Sequence, residues 1–165
     1  MESAGDIASV LALIEKSTLA QFAKSSSWMY PASNVGHILG LMVFFASVCI
    51  MDLRLLGVFA EAPAASLIAS VRSFAVAAFI VIALTGGFMF ITEPASLGFN
   101  QTFLTKMALI LAALLNALVL EAVFRRQIRA AGRGAILGPA VRISATLSIV
   151  FWICAAIAGR LIAYT

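Results

Sequence analysis

Long apolar stretches alternate four times with short polar ones along this chain, at roughly residues 32–60, 70–92, 102–124 and 139–163. Each exceeds the ~20 residues that a helix needs to cross ~30 Å of hydrocarbon. The pattern predicts four transmembrane helices. Residues 1–30 read differently. Ile7, Val10, Leu11 and Ile14 recur at helical spacing among Glu2, Asp6, Glu15, Lys16 and Lys24, which predicts an amphipathic helix lying in the interface. Trp28 and Tyr30 follow as headgroup-level anchors, and Pro31 can open the first span because the first turn tolerates its missing N–H. The segment lacks the continuous apolar core and cleavage site of a signal peptide.

Gly57 and Pro63 punctuate the first connection, Pro94 and Gly98 the second, and Gly132, Gly134 and Gly138 the third. Short connections make sequential spans antiparallel neighbours. The expected fold is therefore all-α: an N-terminal interfacial helix over residues 1–30, then an up-down four-helix transmembrane domain over 31–165. The third connection carries Arg125, Arg126, Arg129 and Arg133, with Arg142 just beyond, and Arg54 and Arg72 bracket the first. Residues 93–101 hold no Lys or Arg. The positive-inside rule places the first and third connections in the cytoplasm and both termini outside; Lys16 and Lys24 run against that assignment.

Composition agrees with the pattern. Of 165 residues, 63% are hydrophobic and 11% charged, with a mean hydropathy of +1.09, outside the range of soluble domains. The net charge of +4 sits at span ends and in one loop, so it reports orientation rather than nucleic-acid binding. No Gly-rich phosphate loop is present, and no Ser-His-Asp set falls at one depth, which argues against nucleotide and hydrolytic chemistry. Cys49 and Cys154 fall at depths ~10 Å apart if the spans alternate, too far for a disulfide.

The candidate chemistry lies in the few polar residues within the spans. His37, the single histidine, shares a helical stripe with Leu41, Phe44, Val48, Met51 and Leu55. It is either an interfacial histidine bonded to a carbonyl or water, or a functional group: a haem ligand, a copper ligand or a proton carrier. Asp52 and Arg54 stand ~22 Å further along the same helix. Arg54 is expected to snorkel to lipid phosphate, and Asp52 to pair with Arg72 or Arg142. Lys106 lies about a turn inside the third span, at the depth of His37, Glu93 and Arg160. It either pairs with Glu93 or lines a polar pocket for a haem propionate or a quinone oxygen. Asn116 is expected to make an interhelical hydrogen bond, and Glu121 with Arg125 an ordinary helix pair.

Six methionines and two cysteines raise the question of copper. Met29, Met42, Met51, Met89 and Met107 are scattered, the pattern of core filling. Gly36/Gly40, Ala108/Ala112, Ala113/Ala117 and Ala155/Gly159 are small residues at four-residue spacing. They would let helices approach closely, or leave room for a flat cofactor.

His37, followed by Asp52-Leu-Arg54-Leu-Leu-Gly57, then Arg72-Ser-Phe74, Thr85-Gly86-Gly87, Phe103-Leu-Thr-Lys106 and Asn116, resembles small bacterial membrane proteins of the HemJ protoporphyrinogen oxidase and copper-resistance D type. The likeness covers about residues 34–116. It implies a bacterial inner-membrane protein with His37 as an axial ligand of haem b and Lys106 as a functional lysine. Arg160 is added here as a second propionate or quinone contact. The chain departs from that group in having no second histidine, so haem would be five-coordinate, use a methionine such as Met89, or sit between protomers. The leading expectation is a haem-b redox or haem-handling protein. A cofactor-free scaffold or accessory subunit stands as the alternative, with a copper or small-solute transporter third. In each case the partners expected are the lipid bilayer and either a second copy or a larger membrane complex.

Overall fold

The computed structural model describes residues 2–165, with side chains from Asp6 onward. Every regular element among them is helical: α1 (Glu2–Glu15), α2 (Thr18–Ser25), α3 (Met29–Leu56), α4 (Ala64–Thr92), α5 (Pro94–Gly98), α6 (Gln101–Ala130) and α7 (Pro139–Leu161), with a final 3₁₀ turn at Ile162–Tyr164. Helices α3, α4 and α6, and α7 with its terminal turn, are long and apolar enough to cross a membrane.

Local chemistry explains where the helices stop. The N-terminal segment is two helices rather than one, because Ser17 caps α2 by accepting from the Ala20 N–H at 3.3 Å. At the end of α3, Gly57 takes φ +99°, with Gly57 N–H donating to Arg54 O at 3.1 Å and Val58 N–H to Leu53 O at 3.0 Å. Those paired bonds and the left-handed glycine form a Schellman ending. Asn100 caps α6 through its side-chain oxygen and the Phe103 N–H, 3.0 Å, and Pro139 occupies the first turn of α7. Helix α4 begins six residues before the apolar run, and α6 continues six residues past its own. Hydropathy marks the lipid-crossing stretch, whereas helical hydrogen bonding propagates until a proline or glycine intervenes.

Helix α3 is central. It packs on α4 and α7, and α7 packs on α6. In α3, 39% of the most apolar stretch is buried, against 6% in α6, so few residues of α6 are fully enclosed. Helices α4 and α6 meet through the stacked rings of Phe90 and Phe103, 5.4 Å apart, and through an Arg72–Glu121 ion pair at 2.6 Å. The α3–α4 contact depends on Gly40, where a Cβ would come within 3.0 Å of the Ile82 side chain and 3.5 Å of Ala78 O. Beyond it, Phe44 packs edge-on against Trp152 of α7, ring centroids 4.5 Å apart. A second cluster gathers Leu55, Ile68, Ile128, Leu137 and Val141 near the first and third connections.

Side-chain contacts sort the loops into two groups. Arg54, fully buried, donates to Ala62 O (2.6 Å), Gly132 O (3.3 Å) and Ala135 O (3.4 Å), and Gly134 N–H donates to Ala60 O at 2.8 Å. The first and third connections are thereby bound together. Elsewhere, α1 packs on α5 through Leu11 against Gly98, and Asn100 Nδ2 donates to the Thr165 hydroxyl at 3.2 Å. The N-terminal helix, the second connection and the C-terminus thus adjoin one another.

Candidate functional site

His37 lies eight residues into α3, half-buried against α4. Its Nδ1 is 3.0 Å from Thr85 Oγ1, which is in turn 2.6 Å from the Val81 carbonyl oxygen. A threonine hydroxyl has one proton. Given to Val81, it leaves only lone pairs facing the imidazole. Nδ1 then carries the ring proton and donates it to Thr85, and Nε2 keeps a free lone pair. The ring lies against α4 at Gly86, where a Cβ would come within 3.1 Å of His37 Cε1. Glycine is what allows the imidazole to lie so close to the α4 backbone.

Lys106, on α6, stretches its alkyl chain over α7 at Gly159. A Cβ there would meet Cε at 3.4 Å and Nζ at 3.5 Å. Of the two alternatives for Lys106, the Glu93 pair is not formed: Glu93 is exposed, and the ion pairs among the described residues are Lys24–Glu15, Arg72–Glu121 and Arg125–Glu121. Lys106 is therefore a half-buried cation with no carboxylate partner among the described residues.

Arg160 is turned elsewhere. Its Nη2 donates to Tyr164 Oη at 2.9 Å, and its guanidinium lies 5.2 Å from the Tyr164 ring centroid. Met89 follows Thr85 by one turn of α4 and is half-buried. Two shallow grooves, of about 310 and 370 Å³, lie on the α6–α7 face and at the α7 N-terminus; neither has His37 or Lys106 in its walls. No group of three His, Cys, Asp or Glu able to hold a metal occurs among the described residues, and Cys49 and Cys154 are both free.

The inner polar residues depart from expectation in two places. Arg54 does not snorkel: its donors are spent on loop carbonyls. Asp52 pairs with neither Arg72, which is bound to Glu121, nor Arg142, which is exposed. Asn116 makes its expected interhelical contact, with Ser144 of α7, and the Glu121–Arg125 helix pair forms at 3.2 Å. Sequence reasoning missed Thr85 as the partner of His37. Hydroxyls among apolar residues carry no directional signal until the facing helix is known.

Neither a curated protein nor a solved structure matches the chain. A family model does, over residues 10–165, nearly the whole length. The chain belongs to that family, DUF6644, a family of unknown function.

Proposed function

We propose that this protein is a small membrane redox or haem-handling protein in which His37 supplies an axial ligand to haem b. The observation that carries this reading is the contact of His37 Nδ1 with Thr85, whose hydroxyl is bonded to Val81 O. Histidine ligands are typically oriented by a hydrogen bond from the second ring nitrogen, and the His37–Thr85–Val81 chain supplies that bond while leaving Nε2 available. Lys106, without a carboxylate partner among the described residues, is the cation suited to a propionate. Arg160, engaged with Tyr164, is the weaker candidate for that role. Bound haem would supply one-electron chemistry; the chain would orient the ligand, balance charge and exclude water. Each chain offers one imidazole, so Met89 or a second protomer would furnish any further ligand. Neither groove could house the ring beside His37, so it would approach through the lipid-facing side between α4 and α6 or lie between protomers.

The same reading places four up-down spans in a bacterial inner membrane, with α1 and α2 at its outer interface. The paired connections at Arg54 support that arrangement, and the basic third connection supports a cytoplasmic position for that end.

The test is the visible spectrum of detergent-purified protein from haem-replete cells, oxidised and dithionite-reduced, with iron measured on the same sample. A Soret band that shifts on reduction and is lost in His37→Ala is expected. Colourless, iron-free protein would sink the proposal.

A second reading, a cofactor-free scaffold of a membrane complex, draws on the outward apolar surface of α6. Leu104, Leu111, Leu115 and Leu118 are all exposed. It predicts that His37→Ala changes little, whereas alanine at Leu111, Leu115 and Leu118 together reduces the assembly's size in detergent.

A further inference from the structure

Asp52 is a carboxylate without an evident counter-charge. It is 4% exposed on α3, and its Oδ2 is buried with no hydrogen-bond partner. On α7, which packs against α3, Ser148 is a buried hydroxyl, 7% exposed. The charged and titratable groups around it do not compensate. On α3, Cys49 is a free thiol, Arg54 is bonded to loop carbonyls, and Tyr30 and His37 lie far along the helix. Helix α4 carries only Arg72, bound to Glu121 of α6; α7 carries Arg142, exposed, then Cys154 and Arg160 further along. An ionised carboxylate buried without a partner costs several kcal/mol, so the site calls for a bound cation.

The surroundings select which cation. Metal ions such as Ca²⁺ and Mg²⁺ need about six or more oxygen ligands. Here the donors are one carboxyl and one serine hydroxyl, and no three-ligand metal group exists among the described residues. A proton needs only one lone pair. Ser148 stands one turn beyond Ser144 on the same face of α7, and Ser144 is bonded to Asn116. Buried polar groups thus occur on α3 (Asp52) and α7 (Ser148 and Ser144), the last bonded to half-buried Asn116 of α6. Asp52 lies four residues from the end of α3, ~6 Å along the helix axis from the first connection.

We propose that Asp52, with Ser148, forms an intramembrane proton-binding site that exchanges with water at the end of the bundle where the first and third connections meet. The site is independent of haem at His37, ~22 Å away along α3.

The experiment is infrared difference spectroscopy of the full chain in liposomes, titrated with acid and base in H₂O and D₂O. Expected is a pH-dependent C=O stretch of a protonated carboxyl, equivalent to one group per chain. It should downshift in D₂O, disappear in Asp52→Asn and persist in Glu121→Gln. Ser148→Ala, which leaves Asp52 in place, should shift the band by removing its hydroxyl neighbour, and it decides the matter should Asp52→Asn fail to fold. A spectrum without a carboxyl band assignable to Asp52, or an Asp52 carboxylate band moved by sodium at constant pH, would overturn the proposal.

Discussion

Asn116 and Ser144 bond each other twice across the α6–α7 interface. Asn116 Nδ2 donates to the Ser144 carbonyl and Ser144 Oγ donates to Asn116 Oδ1, both at 2.9 Å. Reciprocity makes the pair a register mark, because sliding one helix by a turn would strand both side chains in an apolar interface. Interhelical hydrogen bonds in lipid contribute about 0.6–2 kcal/mol. Asn116→Leu is expected to lower thermal stability in detergent by that order. Combined with Ser144→Ala, the loss should be clearly less than the sum of the two single losses. Additive losses would show that the two side chains are not coupled.

Arg54 binds three carbonyl oxygens from two connections. Lysine keeps the charge but not the planar fork of donors, so Arg54→Lys should loosen residues 57–63 and 131–138 together. Limited proteolysis checks this. Both connections should be cut several-fold faster than in wild type, and acceleration at one alone would contradict the clamp.

Two glycines provide a matched contrast. At Gly40 an added side chain would press on Ile82 and the Ala78 carbonyl, whereas at Gly87 nothing lies within 4 Å. Overpacking costs about 1–3 kcal/mol, and alanine for glycine in an open helical position gains about 0.5–1 kcal/mol. Gly40→Val should therefore lower the melting temperature and Gly87→Ala hold or raise it.

The His37 tautomer can be read without any cofactor. Nitrogen chemical shifts of labelled imidazole in the purified protein should report a protonated Nδ1 and a bare Nε2 in the neutral ring. Thr85→Ser, which retains a hydroxyl, should preserve that pattern. Thr85→Val should release it into a mixture of tautomers. A dominant Nε2–H form in wild type would remove the basis for His37 as a ligand.

How far these features could be read from the residues depends on range. The four apolar helices follow from hydropathy, because lipid-crossing length is a one-dimensional property. Capping is equally local, yet Ser17 was read as part of a single amphipathic segment; its split into α1 and α2 needed the weight given to a serine cap. Partner choice is three-dimensional and was harder. Depth alone points Arg54 to phosphate, Asp52 to Arg72 or Arg142, and Lys106 to either Glu93 or a pocket for an anionic group. The structure instead spends Arg54 on backbone carbonyls and, among the described residues, gives Asp52 and Lys106 no opposite charge. Gly36, Gly40 and Gly159 could have served an outside partner; they face Thr85, Ile82 and Lys106 within the chain.

The Arg54 clamp also imposes a timetable on biosynthesis. Two of its three acceptors, Gly132 and Ala135, lie 78 and 81 residues further along the chain. At about 5–20 residues per second, the ribosome delivers them roughly 4–16 s after Arg54 itself. Through that interval the first helical hairpin holds a guanidinium that only its own Ala62 and the surrounding water or headgroups can satisfy. The Arg54 clamp is therefore completed only once the third connection has been made.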